Sequence, residues 1–442
     1  MCDFGVMQTR REKLGYEMML LPPLENFVPA DHRLRKLDRV LDLSFVHEAV
    51  RERYCQDNGR PSVDPEVVMR LFILQALEGI RSVRELMNEA EVNLAYRWFI
   101  GYRVDEALPD HSSLSRALDR FGDEMFNRLF IESIRQCQTS GLIEGKVLHL
   151  DATLIRADIQ KDQAERPGCA DPDARHSRHK GEPGYKQQTV VDGASRVILS
   201  VAVTPANQHD SEGAVEAVDR AIAAIEQVPE AVCADAAYAN GPSAAAMEER
   251  GVRLVSPPQR IVVADRPANG LTVDDFVYDP TRDAYVCPQD QPLTYIGTES
   301  SKRRRRRYRA SLRACAGCEL KARCTKSERK TLLVGPHYQS LARLRTDSKT
   351  DSFRALYRAR APVIEGVFAE AKQWHGLRRA WRRGLSNMLA QSLLIAAVLN
   401  FKRLMVSVRA FWASRIGAIL RFRDQSVFKF ENVTITIAFA MD

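Results

Sequence analysis

Residues Lys146-Val-Leu-His-Leu-Asp-Ala-Thr-Leu-Ile155 form an apolar run rich in branched side chains, a pattern typical of a core strand. Side chains alternate along a strand, so Asp151 shares one face with His149 and Thr153, opposite the leucines. A carboxylate on a core strand needs a partner, because burying an unpaired charge is costly. The sequence therefore predicts that Asp151 belongs to a site rather than to the packing.

Two more acids stand at the ends of predicted elements. Asp235 ends a second short apolar strand that begins at Ala231, and the turn residues Asn240-Gly-Pro242 follow soon after it. Glu365 follows Pro362, which predicts that a helix starts or kinks there and that Glu365 lies in its first turn.

The remaining pattern between these acids alternates strands and helices. Tyr185 to Asp192 and Arg196 to Thr204 alternate around Gly193-Ala-Ser195 and predict a β-hairpin. A helix is predicted over 211–227, before the Asp235 strand. A further helix over 243–250 and a strand over 252–256 complete the order strand-strand-strand-helix-strand-helix-strand.

Three stretches resemble one known family. Leu148-His-Leu-Asp-Ala-Thr153, Ala234-Asp-Ala-Ala-Tyr238, and the set Tyr357, Arg360, Glu365 and Lys372 resemble the DDE transposases of bacterial insertion sequences and their tyrosine-arginine-glutamate-lysine signature. Arg360 stands one residue further from the glutamate than in the commonest form of that signature. The resemblance extends over about residues 20 to 400 and rests mainly on the order of its parts.

The resemblance implies an α/β fold: a ribonuclease-H-like mixed sheet flanked by helices, an all-α N-terminal domain, and a cysteine-containing insertion before the last catalytic helix. In that fold the first and fourth strands are neighbours, so Asp151 and Asp235, separated by 235 − 151 = 84 positions, are expected to share one site. The expected divisions are a tail (1–19), a helical DNA-binding domain (20–141), the core (142–256), a basic insertion (257–349), the last core helices (350–403) and a divergent tail (404–442).

The implied chemistry is metal-dependent cleavage and transfer of DNA strands. Two divalent ions about 3.5–4 Å apart activate water and stabilise the leaving oxygen, and Mg²⁺ or Mn²⁺ prefers oxygen ligands. The family resemblance implies that Asp151 bridges both ions, while Asp235 and Glu365 hold one each. Four further residues are expected to contact DNA near these acids, with the cations offsetting their repulsion: Lys186, Arg360, Lys372 and Tyr357.

Several other polar residues receive structural interpretations. His149 is expected to be a core histidine, although it and His209 could serve as general bases. Asp210 is predicted to cap the helix that follows it. Asp158, Asp171 and Asp173 lie in the polar stretch 158–184, which is predicted to be a flexible surface loop without fixed carboxylate geometry.

The region before the core is predicted to be helical, with Asp64 and Ser82 as N-caps of helices over 65–78 and 82–88. A turn at Pro109 and a cap at Ser112 or Ser113 predict a short helix to Phe121 that displays Arg116 and Arg120. This region is expected to contact DNA; a helical dimerisation or packing domain is the alternative.

The insertion carries a basic run and four cysteines. The basic run is either a solvated disordered arm or a phosphate-binding arm, with the second favoured for Arg303, Arg304, Arg305, Arg306 and Arg307. The spacing of Cys287, Cys315, Cys318 and Cys324 is compatible with a structural Zn²⁺, and four reduced thiols without a metal are the alternative.

Composition adds broader expectations. With 45% hydrophobic and 28% charged residues the chain has an ordinary soluble composition, and its net charge of +8 favours a polyanionic partner. Residues 1–13 lack the apolar core of a secretion signal, and Met388–Phe401 is too short to span a bilayer comfortably, so a cytoplasmic, nucleoid-associated protein without a membrane partner is expected. The expected partners are double-stranded DNA, as terminal inverted repeats and target, and a second copy in a homodimer.

Two alternatives to a transposase remain at this stage. One is a ribonuclease-H-like nuclease without strand transfer. The other is a DNA-binding protein without catalytic activity, either a repressor or a decayed transposase, and the divergent tail after residue 404 leaves room for decay.

Overall fold

A computed structural model describes residues 23–53, 62–162, 164–178, 181–258, 270–300 and 304–425, with side chains described as far as Ser407. The predicted N-terminal tail 1–19, Arg303, and residues 426–442 of the predicted C-terminal tail lie outside the described residues.

The N-terminal part is helical, as predicted. Asp64 accepts a hydrogen bond from the N–H of Glu66, and Ser82 accepts one from Glu85, so both predicted N-caps are confirmed. The first of these helices ends at Gly79, whose φ of 67° is one that glycine adopts without strain. The helices are α1 (Arg33–Asp38), α2 (Val46–Val50), α3 (Pro65–Glu78), α4 (Val83–Val92), α5 (Leu94–Ile100) and α6 (His111–Thr139).

Helix α6 differs from the prediction at both ends. Its N-cap is Asp110, which accepts from the N–H of Ser112, rather than Ser112 or Ser113. A carboxylate in this position satisfies a free amide and also interacts favourably with the helix dipole. The helix kinks at Gly122, next to its predicted end at Phe121, and then continues to Thr139.

The central sheet has the predicted order of strands and helices. Its strands run in the order β4-β3-β1-β5-β6, and the two-residue β2 pairs with the start of β3. Strands β1, β3 and β4 pair antiparallel, whereas β1, β5 and β6 pair parallel. The elements are β1 (Val147–Arg156), β2 (Arg175–His176), β3 (Pro183–Asp192), β4 (Ile198–Pro205), α7 (Ala214–Ile225), β5 (Ala231–Ala234), α8 (Gly241–Glu249) and β6 (Arg253–Val255).

A second, antiparallel sheet of five strands follows, with a small core of its own. Its strand order is β11-β10-β9-β8-β7. The elements are β7 (Val277–Asp279), β8 (Ala284–Val286), β9 (Pro292–Thr298), β10 (Arg306–Ala310), α9 (Leu312–Ala316), α10 (Lys321–Cys324) and β11 (Thr331–Val334).

Three helices complete the chain: α11 (Tyr338–Asp347), α12 (Asp351–Trp374) and α13 (Leu385–Gln425). Helix α12 starts fourteen residues before Glu365 (365 − 351), capped by Thr350, and Pro362 lies inside it. The prediction that Glu365 lies in a first turn is therefore wrong. The buried face of α12, which packs on β1 and β5, holds the helix together across the proline.

Helix α13 contains the apolar run that was predicted to be too short for a membrane. Its segment Leu385–Ser407 has the length and hydropathy of a membrane span, but 72% of its apolar stretch is buried inside the protein. It packs against α6 and β4, as a core helix does.

The stretch 158–184 is not the flexible loop that was predicted. Asp171 is fully buried and accepts the hydroxyl of Tyr185 at 2.6 Å, while Asp173 accepts the N–H of Leu385 at 3.0 Å. Asp158 pairs with Arg379 at 2.7 Å. These carboxylates have fixed structural roles, because each gains a partner from a distant part of the fold.

Candidate active site

The sheet brings Asp151 and Asp235 together. The parallel pairing of β1 and β5 runs from Val147 opposite Ala231 to Leu150 opposite Ala234, a constant offset of 231 − 147 = 84. The same offset places Asp235, directly after β5, beside Asp151 on the neighbouring strand, with Cα atoms about 5 Å apart. Asp151 lies in the middle of β1 and Asp235 just after the end of β5, where the parallel pairing of the two strands stops.

Both oxygens of Asp151 have partners. One accepts the N–H of Ala152 at 2.8 Å, and the other accepts Arg360 of α12 at 2.6 Å. The Asp151 and Arg360 side chains are only 19% and 8% exposed, so this is a buried ion pair. Burial raises the pKa of Asp151 to about 6, against the lowering effect of Arg360, and Asp235 and Asp210 raise it further.

Asp235 also stabilises the segment that follows it in the chain. Its side chain accepts the N–H of Ala237 at 2.9 Å and so caps the short 3-10 helix Ala236–Tyr238. The Tyr238 hydroxyl is buried, with no hydrogen-bond partner among the described residues. Burial raises the pKa of Tyr238, and the charges of Asp151, Asp210 and Asp235 raise it further, so the phenol stays neutral at pH 7.

Glu365 is not gathered with the two aspartates. Arg360, Ile364, Val367 and Ala371 form the buried stripe of α12, whereas Glu365 is exposed. At 3.6 residues per turn, Glu365 lies about 140° around the helix from Arg360. Within the described part of the chain, no three histidine, cysteine, aspartate or glutamate side chains form a group that could hold a metal ion.

The other signature residues also lie on α12. Lys372 is seven positions after Glu365, and both are on nearly the same side of the helix, as predicted. Tyr357 packs on Phe353, with ring centroids 6.5 Å apart. The structure thus places the signature on one continuous helix, with only Arg360 at the aspartates.

Lys186 and Asp210 form a pair of their own. The Lys186 side chain is ion-paired with Asp210 and donates to the carbonyl of Gln208 at 2.6 Å. Lys186 stands opposite Leu154 in the β1–β3 register, so it projects from the sheet face opposite to that of Asp151. Asp210 does not cap α7, because that helix begins after Gly213, and the predicted N-cap role is wrong.

His149 is a buried residue of the strand, 2% exposed. Burial and the neighbouring Arg360 lower its pKa to about 4, so the ring is neutral at pH 7. Its Nδ1 has no hydrogen-bond partner among the described residues, so the histidine is buried as expected but not fully satisfied.

The predicted basic contacts lie outside this cluster. Arg116 is exposed on α6, where it donates to Ser113 at 3.2 Å, and Arg120 is exposed one turn further on. The basic run is not a disordered arm: Arg306–Ala310 is strand β10 of the second sheet. Within it, Arg305 pairs with Glu299 at 2.9 Å and Arg306 pairs with Asp283, while Arg304 is exposed.

Cys287, Cys315 and Cys324 pack beside the second core, and within the described residues these cysteines and Cys318 form no group that could hold a metal ion. Burial raises the pKa of Cys324, Lys330 lowers it, and the charges of the other three cysteines raise it again. The prediction of a structural zinc remains a prediction.

The sequence did not reveal the contribution of Asp210 and Tyr238 to the electrostatics around Asp151. Tyr238 stood within the quoted Asp235 motif without a role, and Asp210 was interpreted as a helix cap. Only the spatial arrangement of the loops after β4 and β5 brings their charges and dipoles to the aspartates.

Two family models match the sequence. Residues 22–120 match a transposase domain (DUF772), and residues 286–405 match a transposase DDE domain. The first match covers most of the helical region. The second contains Glu365 and ends near residue 400, where the sequence resemblance to the DDE transposases also ends. No curated protein matches the sequence.

Solved transposase structures show only distant similarity. A piggyBac transposase synaptic complex with hairpin DNA is 11% identical, with a TM-score of 0.33, over 90% of this chain and 80% of that one. A Mos1 transposase paired-end complex is 12% identical, with a TM-score of 0.18, over 73% and 83%. These scores are too low to support an argument, and the assignment rests on the two family models, which identify a transposase domain at 22–120 and a transposase DDE domain at 286–405.

Proposed function

We propose that this transposase binds the ends of its insertion sequence and catalyses metal-dependent strand cleavage followed by strand transfer. The observation that carries the proposal is the register of β1 and β5, which sets Asp151 beside Asp235 where the parallel pairing of the two strands ends. The family model over Glu365 and the Arg360 contact to Asp151 add support from the last catalytic helix.

The proposed catalytic unit is a ribonuclease-H-like core. It comprises 142–256 and the last helices 350–403, with the basic, cysteine-containing unit 257–349 inserted between them and the helical DNA-binding domain 20–141 before it. The antiparallel β1-β3-β4 group followed by parallel β5 and β6 supports this assignment.

Two of the three proposed ligands of a divalent cation are in place in this structure. Asp151 and Asp235 offer adjacent carboxylates, the donors that Mg²⁺ and Mn²⁺ prefer, and the buried Tyr238 hydroxyl three residues after Asp235 has no hydrogen-bond partner among the described residues. Glu365 would complete the set. When bound, two such ions supply an activated water and stabilise the leaving oxygen.

The chain's own residues have distinct parts in the reaction. Asp151 and Asp235 provide the pair of carboxylates that would hold the ions, and Arg360 neutralises the charge of Asp151 in this structure. Once released, Arg360 is positioned to bind a DNA phosphate through its planar guanidinium. Lys372 and Tyr357 contact the DNA backbone from the same helix. Further backbone contacts come from Arg116 and Arg120 of the helical domain and from Arg304 of the inserted unit.

The first test is cleavage of a labelled duplex carrying the element's own end, with Mg²⁺ or Mn²⁺. Asp235→Asn should abolish cutting, because it removes a charged ligand with little change in shape, while end binding remains. Asp162→Asn is the matched control, because Asp162 is an exposed carboxylate in the surface loop after β1. Full cutting by Asp235→Asn would remove that residue from the catalytic set.

The same experiment addresses the non-catalytic alternative. Asp151 is occupied by Arg360 and Glu365 is exposed, an arrangement that also suits a protein that binds DNA without cutting it. Tight binding without cutting by the unaltered protein would favour a repressor or decayed transposase. Cutting without joining to target DNA would favour a nuclease.

Joining two ends in one complex requires two copies of the site, and a homodimer on DNA is therefore part of the proposal. Its location would be the cytoplasm, at the nucleoid. Sedimentation of the protein with and without an end duplex measures the assembly state directly.

A further inference from the structure

We propose that the open face of the second sheet, centred on Arg307 and Arg309, binds the phosphate backbone of duplex DNA. The inference rests on the proposed function, because it assigns part of the DNA contact to one defined surface. We call this surface the outer face; it consists of Thr294, Gly297, Arg307, Arg309, Thr331 and Leu333.

Strand pairing places these residues on one side of the sheet. Arg309 of β10 stands opposite Thr294 of β9 and Thr331 of β11. Arg307, two positions earlier, stands opposite Gly297 and Leu333. Directly paired residues point to the same face, so two rows of three residues cross three strands side by side.

The two faces of the sheet differ in burial. The intervening residues Tyr308, Leu332 and Leu293 are at most 3% exposed and belong to the second core. On the outer face, Leu333 is 37% exposed and Thr294 is also exposed. The described chain therefore covers one face and leaves the other accessible.

The arginines of this run divide into two groups. Arg305 and Arg306 are ion-paired with Glu299 and Asp283, and Arg306 also lies over the ring of Tyr295 at 4.6 Å. Arg307 and Arg309 form no ion pair with any carboxylate of the described chain; the Nε of Arg307 is itself buried without a partner, so the terminal nitrogens of its guanidinium are the ones that can reach a ligand. Arg309 donates only to Thr331, at 3.3 Å. The outer-face arginines thus retain donors for an anionic ligand.

The surroundings favour a polyanion. Residues 304–330 contain eleven Lys or Arg residues and only two acids, Glu319 and Glu328, so the unit attracts negative charge as a whole. Two planar guanidinium groups flanked by threonine hydroxyls offer the donors that bind phosphate oxygens. Gly297, which presents no side chain, stands opposite Arg307, and the guanidinium of Arg307 lies 3.8 Å from where a Cβ of Gly297 would stand.

The test is the salt dependence of binding to a random-sequence duplex. Each phosphate contact contributes about 0.9 to the slope of log K against log salt. Arg307→Gln with Arg309→Gln should therefore reduce the slope by about 2. The charge-matched control is Arg282→Gln with Arg313→Gln: both residues are exposed and belong to the same unit, in the β7–β8 turn and in α9, outside the outer face.

A second measurement does not depend on whether the Arg307/Arg309 variant folds. A photo-crosslinking amino acid at Thr294, in a chain that keeps both arginines, should label the duplex, because Thr294 is adjacent to Arg309. An unchanged slope in the Arg307/Arg309 variant, an equal loss in the control variant, or absence of crosslinking would each overturn the inference.

The outcomes separate this inference from the proposed function. Normal end cleavage that Asp235→Asn abolishes, together with an unchanged slope, would overturn only the outer-face assignment. Failure of the unaltered protein both to bind and to cut an end duplex would overturn both.

Discussion

Replacing Glu370 by Gln should destabilise the protein, because Glu370 joins the last two helices through a half-buried ion cluster. From α12 it accepts Lys402 of α13 at 2.5 Å and also accepts Arg403. Lys402 in turn donates to Nε2 of His375 at 2.9 Å, and Nδ1 of His375 donates to the carbonyl of Ala76 at 2.9 Å. The cluster therefore ties α3, α12 and α13 together.

The size of this loss of stability follows from the pKa of the Glu370 carboxyl. Burial raises its pKa, but hydrogen bonds from Arg403 and Lys402 outweigh burial and lower the pKa from 4.5 to about 2. A depressed folded-state pKa of this size corresponds to about 3 kcal/mol of stability at pH 7. That stability is present above the unfolded pKa of 4.5 and is lost as the pH falls towards 2.

Urea unfolding followed by circular dichroism measures the effect. Glu370→Gln should lower the free energy of unfolding by about 3 kcal/mol at pH 7 and by about 2 kcal/mol at pH 3.5. The matched control is Asp351→Asn on the same helix, where the carboxylate is 98% exposed and its pair with Arg354 contributes less than about 1 kcal/mol. Equal costs in both variants, or a Glu370→Gln cost that does not shrink in acid, would refute the reasoning.

Three further predictions concern other contacts. Gly79→Ala should lower the melting temperature by several degrees, because its Cβ would lie 2.6 Å from the carbonyl oxygen of Trp374 and its φ is positive; an unchanged melting curve would show that α3 and α12 do not approach so closely. Tyr185→Phe should cost about 1–3 kcal/mol in urea unfolding, since it leaves the buried carboxylate of Asp171 without its hydroxyl donor, and a neutral result would contradict that contact. Protein purified without chelator should contain about one Zn²⁺ per chain by elemental analysis if the four cysteines hold a structural ion, and its absence would leave them as reduced thiols.

Local chemistry predicted much of the fold. The N-caps at Asp64 and Ser82 and the helix over 65–78 depend on neighbouring residues alone, so the sequence contains what determines them. The strand around Asp151 was equally clear, because its apolar run is long. Helix α12 was placed too late because Pro362 suggested a start, whereas packing on the sheet sustains a helix from Asp351 onward.

Contacts between distant segments were the ones that sequence reasoning missed. Asp171 appeared to be a loop carboxylate because its partner, Tyr185, becomes its neighbour only when the loop folds back on β3. Asp210 appeared to be an N-cap because a helix follows it in the chain. Its partner is instead Lys186, which lies on β3. In both cases the partner is specified by tertiary structure, and a charge in a polar stretch gives no local sign of it.

The three acids occur in the sequence in the order that the family signature requires, but Glu365 does not lie with Asp151 and Asp235. Arg360 occupies the position next to Asp151 instead. Burial of Asp151 requires a compensating cation, and Arg360 supplies it from the inward side of α12. Glu365 follows five residues later, about 7.5 Å along the helix and on a different side. Within the proposed function, Glu365 would join Asp151 and Asp235 only if Arg360 left Asp151 and α12 turned or shifted, and the ion pairs of Glu370 hold the far end of that helix. The same helix would then supply both the resting counterion of Asp151 and the carboxylate that completes the site.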